Sequence, residues 1–284
     1  FFMKKKKYAP IIVFSYNRPN LLKHLINSIK KNSEAKNSMI YFFQDNSKDL
    51  DDIQYVNRCK KLIKNTRGFK KVKFILRKSH YGFYKNFING LRFFFKKHEQ
   101  GIILEDDLVV SKYFLKFMNQ ALIKYKNDKK VWSISGWNYD ISLKSKYDVY
   151  FMRNFISWGW ATWANRFRKY KKKPEKIIQN WSTDTINKFN LDNNYDYVSQ
   201  ILRNKNNLLN SFGVFWYATI FENKGLCLAP LKSMVINNGW NSKATHTKIE
   251  NKTFTTNKLS RKKKFKFPIY VEENKKFFEK VKNC

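Results

Sequence analysis

Cysteine is scarce in this chain, and what there is lies far apart. Cys59, Cys227 and Cys284 are the three thiols, with no Cys-x-x-Cys pair. An odd, scattered set excludes a disulfide framework and a zinc site, and a reducing cytosol is the expected surrounding. Glycine-rich phosphate loops are missing too. No G-x-G-x-x-G follows the first apolar run, and no G-x-x-x-x-G-K-[ST] occurs anywhere. That argues against a dinucleotide site of the usual kind and against a P-loop. A bound nucleotide would have to be held by side chains such as Arg18 and Asp45, and by a metal. No apolar run approaches the length of a membrane-spanning helix. The opening Phe1-Phe2-Met3-Lys4-Lys5-Lys6-Lys7 lacks the apolar core expected of a signal peptide. No internal repeat is visible.

Acid is the other shortage. Asp and Glu total 21 against 58 Lys and Arg, a formal charge of +37. Such a surface suits anionic partners: nucleic acid, phosphorylated small molecules or an anionic membrane face. The excess does not choose among them, and an A/T-rich coding sequence would also produce it. Hydrophobic residues at 43% and aromatics at 18% argue against disorder. At 284 residues the chain has room for one large α/β domain or one domain with an appendage.

Against that background Gly101-Ile102-Ile103-Leu104-Glu105-Asp106-Asp107 stands out. A short apolar run reads as a strand covered on both faces. Carboxylates are rarely buried unpaired, so the chain should leave the sheet at Glu105. Three acids would then sit at the carboxyl end of a strand, where open α/β sheets bind ligands. A hard divalent cation shared with substrate phosphates fits such a cluster, and an acidic helix cap fits it about equally well.

Around this element, strand and helix patterns alternate. Strands are expected at 9–14, 39–43, 72–76, 102–104 and 131–134. Helices are expected at about 19–29, 53–63, 83–97 and 112–126, the first opened by Asn17 and Pro19. The pattern predicts a mostly parallel sheet flanked by helices. The second half reads differently. Trp158-Gly159-Trp160 lies in an aromatic cluster, residues 212–221 read as a buried helix, and Pro230 interrupts a strand-like run over 226–236. The tryptophans have two readings, a sugar-stacking wall or plain core, with Gly159 tilting toward the wall. The basic tail reads as a candidate for an anionic membrane or as a charged end.

Taken together, certain segments resemble a known family. They are Phe14-Ser15-Tyr16-Asn17-Arg18-Pro19, Gln44-Asp45, the Gly101–Asp107 element, Ser133-Ile134-Ser135-Gly136, Trp158-Gly159-Trp160-Ala161-Thr162-Trp163 and Ala244-Thr245-His246-Thr247. In this order they resemble bacterial GT-A glycosyltransferases, nucleotide-diphospho-sugar transferases distantly similar to N-acetylglucosaminyltransferase I. The resemblance implies a Rossmann-like GT-A fold with a C-terminal acceptor-side portion of helices and loops. It divides the chain into a nucleotide-sugar half (1–140), an acceptor half (141–250) and a basic tail (251–284). It implies transfer of a hexosyl or N-acetylhexosaminyl group from a nucleotide-diphospho-sugar, UDP-linked by expectation, to a glycan or lipid-linked glycan. The expected setting is bacterial surface polysaccharide or lipooligosaccharide synthesis, cytoplasmic, with the inner membrane face as a candidate site.

By position, Arg18 would contact the base or phosphates and Asp45 the base, with His80 near the nucleotide. Glu105 and Asp106 would face sugar and ribose. Asp107 and His246 would serve a Mn2+ or Mg2+ ion, and Trp158 and Trp160 the acceptor. One departure concerns the catalytic base. Family relatives place an acid before the glycine-rich turn, where this chain has Phe151-Met152-Arg153-Asn154-Phe155, or in the later aromatic helix, where it has Gly213. Asp140, Asp148 and Glu222 are the candidates left. Two rival readings are a basic nucleic-acid-binding protein, against which the charge is spread along the whole chain, and a degenerate transferase fold acting as a binding subunit.

Overall fold

Strand β1 (Ile11–Ser15) buries all five of its side chains. Ile11 and Val13 join one apolar cluster, while Ile12 and Phe14 join another on the opposite face. The same division runs through β2 (Met39–Gln44) and β4 (Gln100–Glu105), so the sheet forms the middle layer of three. Helices α1 (Pro19–Lys30), α2 (Leu50–Lys64) and α4 (Phe114–Lys124) cover one face. Helices α3 (Phe83–Lys97) and α9 (Gly213–Glu222), with shorter α5 (Ala164–Phe167), α6 (Pro174–Asn180), α7 (Thr183–Phe189) and α8 (Tyr197–Lys205), cover the other. The computed structural model describes residues 8–139, 141, 144–239 and 258–282.

The remaining strands are β3 (Lys71–Leu76), β5 (Leu108–Val110), β6 (Val131–Ser135), β7 (Val149–Met152), β8 (Trp160–Trp163), β9 (Leu226–Pro230) and β10 (Val235–Asn237). Eight strands form one sheet in the order β3-β2-β1-β4-β8-β6-β9-β7, and β5 pairs with β10 in a second, two-stranded one. Winding proceeds outward from β1 to β3, then reverses to β4 on the other side of β1. The gap above β1 and β4 is therefore the switch point of a doubly wound sheet. Register sets what reaches it. Phe14 pairs with Glu105 and Ser15 with Gln44, so Arg18, Asp45 and the acid triplet all leave the same edge.

The expected strands and helices of the first half are present within three residues at their ends, the largest shift being α2, which starts at Leu50. The sheet departs from the expected parallel pattern in two places, one of them at its edge, where β7 is antiparallel to β9. β8 is antiparallel to both β4 and β6 and is wedged between them. Its four residues, Trp-Ala-Thr-Trp, are too few to announce a strand by alternation. Pro230 ends β9, as its missing N–H requires, and the chain re-enters a ladder as β10.

The two halves read from the sequence share this single sheet, with β7 and β9 continuing it beyond β6. Residues 258–282, read as tail, form a strap along α4 and the edge of the sheet. Ser260 N–H donates to Ser233 O at 2.7 Å, and Ser111 Oγ donates to Ser260 O at 2.6 Å. Phe265 and Phe267 pack on Phe117, and Tyr125 Oη donates to Pro268 O at 2.8 Å. Arg153 clasps Glu273 through Nε at 2.8 Å and Nη2 at 2.6 Å. The strap ends in α10 (Lys275–Lys282), whose Phe277 is buried against Tyr150. Among the described residues no helix is long and apolar enough to cross a membrane.

Candidate active site

The loop after β1 and the loop after β4 are tied together by ion pairs. Arg18, just before α1, places Nη2 2.5 Å from Asp106 Oδ1 and Nη1 3.0 Å from Asp107 Oδ2. The backbone N–H of Tyr16 donates to the second Asp106 oxygen at 3.1 Å. Both Asp106 oxygens are thus engaged, and its side chain is 2% exposed. The resemblance assigns Asp106 to ribose or sugar, but the residue has no open face for either. Its contacts make it the anchor that fixes Arg18 and the β1 loop.

Asp107 is more open, at 13%, and Arg18 at 30%. Glu105 is half-buried, with no side-chain hydrogen bond among the described residues. Burial raises the pKa of Glu105, reinforced by Asp107, with Arg18 opposing. Burial also raises that of Asp106, partly offset by Arg18. One guanidinium facing three carboxyls leaves the cluster short of positive charge. The donors are all oxygens, Asp107 is more open than Asp106, and the cluster lies at a sheet edge where phosphates can approach. That chemistry suits Mg2+ or Mn2+, which take one or two carboxylates and complete their shell with phosphate and water. Among the described residues no three His, Cys, Asp or Glu are grouped to hold a metal by themselves. A one-carboxylate site needs no such group. His246, the second expected ligand, lies outside the described residues.

A turn from the far end of the chain closes over Asp107. Asn238 N–H donates to the Asp107 carbonyl at 2.8 Å, and Gly239 N–H to Asn237 Oδ1 at 2.7 Å. A Cβ built on Gly239 would overlap Asp107 Oδ2 and stand 3.0 Å from Asn237 Oδ1. Glycine is needed there because the carboxylate occupies the space of a side chain. Sequence reasoning read Asn237-Asn238-Gly239 as a turn. Its partner was invisible, because the β5–β10 pairing that joins them is nonlocal.

On the other flank, Asp45 is 4% exposed and organises a turn. It accepts from the backbone N–H of Tyr81 at 2.8 Å and of Asn46 and Gly82 at 2.9 Å. His80 is held nearby, Nδ1 3.4 Å from Asp45 Oδ2 and 2.9 Å from Asn46 O. Its ring lies 5.1 Å from that of Tyr16. Tyr16 in turn donates its hydroxyl to Asp52, which also accepts from Asn17 Nδ2 at 2.5 Å. Burial works to raise the pKa of Asp52, yet these two donors outweigh it and keep the carboxylate low. Tyr16 and Asp52 were passed over in the sequence. Their only signal is that Tyr16 falls between the strand end and Arg18.

The aromatic cluster divides. Trp160 is fully buried within β8, against Phe155, Phe212 and Trp216. It belongs to the core and has no face for an acceptor, which corrects the expectation for it. Trp158 is partly buried and meets Trp137 edge-on at 4.8 Å between ring centroids. Gly159 between them sits at φ +63°, and its carbonyl accepts from Gly136 N–H at 2.6 Å. This positive φ and close approach explain the glycine.

The expected bases fare less well. Glu222 is exposed at the end of α9, just before β9. β9 runs parallel to β6, and both run parallel to β4, so Glu222 lies at the opposite edge of the sheet from Asp107. Asp148 precedes β7, four strands and therefore ~19 Å across from β4. It is held by Lys262 and by the Lys266 N–H. Neither can reach a reaction at the acid cluster. Asp140 lies outside the described residues.

Two solved structures resemble this chain weakly: S. aureus TarS at 17% identity and TM-score 0.35, and S. aureus TarS 1-349 at 12% and 0.44. The first alignment covers 50% of this chain and 23% of the TarS chain, the second 81% and 60%. The chain thus spans less than two thirds of either. No curated protein matches it. The sequence itself gives the family, for residues 2–183 match the GNT-I family, and the chain belongs to that family of GT-A-type glycosyltransferases.

Proposed function

We propose that this chain transfers a sugar, hexosyl or N-acetylhexosaminyl, from a UDP-sugar to a hydroxyl of a glycan or lipid-linked glycan, with Mn2+ or Mg2+ as cofactor. Bacterial surface polysaccharide or lipooligosaccharide would be the product class. The observation that carries this reading is the convergence of Arg18 and Asp107 at the switch point of the sheet, a partly exposed cation paired with a partly exposed acid. Leaving-group charge develops on the diphosphate as the sugar departs, and a bound dication neutralises such charge without proton transfer. Asp107 would hold that ion. Arg18, fixed by Asp106, would meet the diphosphate from the β1 side.

The rings of His80 and Tyr16 would supply the wall on which the base stacks. Asp45, its carboxylate 4% exposed and engaged on both oxygens by backbone N–H groups, would hold their turn and so act on the base through it. Trp158, partly buried beside Trp137, would form the acceptor wall. Glu105, nearest the sheet, would face the sugar.

Hydrolysis of UDP-sugars, screened with Mn2+ and with EDTA, tests this reading. Turnover in Mn2+ that stops in EDTA is expected. Equal, undetectable turnover for every UDP-sugar in both conditions would reject it. A related result is expected at the closing turn. Gly239→Ala should push the Asp107 carboxylate aside and lower kcat/KM about 10-fold to 100-fold, as displacements of about 1 Å do in positioned sites. The melting temperature should stay close to that of the parent chain. Unchanged kcat/KM would mean that the turn yields and does not set Asp107.

A further inference from the structure

We infer that the strap segment Arg261–Tyr270 is a docking surface for an anionic lipid bilayer. Five cations of the strap are exposed, Lys262 among them paired with Asp148, and inward and outward residues alternate only from Lys264 to Phe267. Phe265, Phe267 and Pro268 turn inward, the two phenylalanines onto Phe117, while Arg261, Lys263, Lys264 and Lys266 are exposed. Ile269 and Tyr270 then break the pattern. They are adjacent, apolar or aromatic, and 77% and 81% exposed. Yet the segment around them is fixed on both sides, by the Tyr125 bond to Pro268 O and by the Arg153–Glu273 clasp. A loop held this way presents both side chains to solvent together.

Charge selects the occupant. Five exposed cations, one of them paired with Asp148, immediately before an exposed Ile-Tyr pair form the composition of an interfacial anchor. Basic side chains are drawn to anionic headgroups near the surface. An aliphatic side chain and a tyrosine settle at the boundary between headgroup and acyl chain. Other exposed hydrophobic residues have different settings. Leu50, 84% exposed, is surrounded by Asp49, Asp51 and Asp52, which an anionic membrane would repel.

The surface is tested by co-sedimentation of the full chain with phosphatidylcholine vesicles, with and without phosphatidylglycerol. A chain of charge +37 will meet anionic vesicles diffusely, so the variants must keep the charge constant. Ile269→Ser with Tyr270→Ser is expected to weaken binding to phosphatidylglycerol vesicles about tenfold or more. The difference should persist at high salt, where headgroup attraction is screened and apolar burial is not. Leu50→Ser, as a control of equal chemistry elsewhere, should bind like the parent. Both substituted positions are exposed, so melting temperatures should agree.

Two results would overturn the proposal. One is no binding of the parent chain to phosphatidylglycerol vesicles. The other is equal binding by the serine variant and the parent, which would assign the attraction to diffuse charge. The measurement uses no sugar donor, so its outcome is independent of the transferase reading.

Discussion

Asp107→Ala is expected to lower UDP-sugar turnover by about 10³-fold or more, since it removes the carboxylate proposed to hold the metal. The fold should survive, because the Asp107 side chain supports no part of the core. Its backbone carbonyl, which accepts from Asn238, is kept by alanine. The readout that separates ligand from structural residue is thermal. The parent chain should melt higher when Mn2+ is added in excess, by linkage to a site present only in the folded state. The variant should melt at one temperature with Mn2+ or EDTA. Full turnover by Asp107→Ala, or a Mn2+ shift as large as the parent's, would remove the metal from this position.

Arg18→Ala should act differently, on stability as well as activity. Asp106 is almost wholly buried and relies on this guanidinium, and removing one partner of a buried pair leaves the other uncompensated. Because Arg18 itself is 30% exposed, solvent screens part of the loss. A destabilisation of about 2–3 kcal/mol is expected, near the low end for buried pairs. For a chain of this length that lowers the melting temperature by roughly 5 °C. Mn2+ should restore part of it, since a dication at Asp107 offsets the same excess of negative charge. Arg18→Lys should fall between, as one ammonium cannot span two carboxylates in the way a planar fork does. An Arg18→Ala protein as stable as the parent in EDTA would show that Asp106 simply takes up a proton at no cost.

Much of this arrangement is legible in the sequence. Strands such as Ile11–Ser15 and Ile102–Leu104 are buried on both faces, so they appear as unbroken apolar runs that a reader can find without knowing the fold. Polar residues at the ends of such runs must lie at a sheet edge, and Arg18, Asp45 and Asp107 follow from that rule. What failed had nonlocal causes. Nothing in Trp160-Ala161-Thr162-Trp163 indicates that it fills a slot between β4 and β6. A large aromatic beside a glycine looks alike in a wall and in a core. Asp106 and Asp107 are neighbours of the same type, and only the Tyr16 N–H and the path of the β1 loop make one an anchor and the other an open ligand. Asp148 was an acid without a visible partner until the strap delivered Lys262.

The closing turn over Asp107 has a consequence for how the protein is made. A chain emerging from a ribosome can pair β1, β2 and β4 early, since those segments are near one another in sequence. The grip of Asn238 on the Asp107 carbonyl must wait until far more of the chain has been synthesised. A nascent or prematurely stopped product can therefore hold a folded sheet and still expose an unfinished acidic pocket. Competence for chemistry is conferred last.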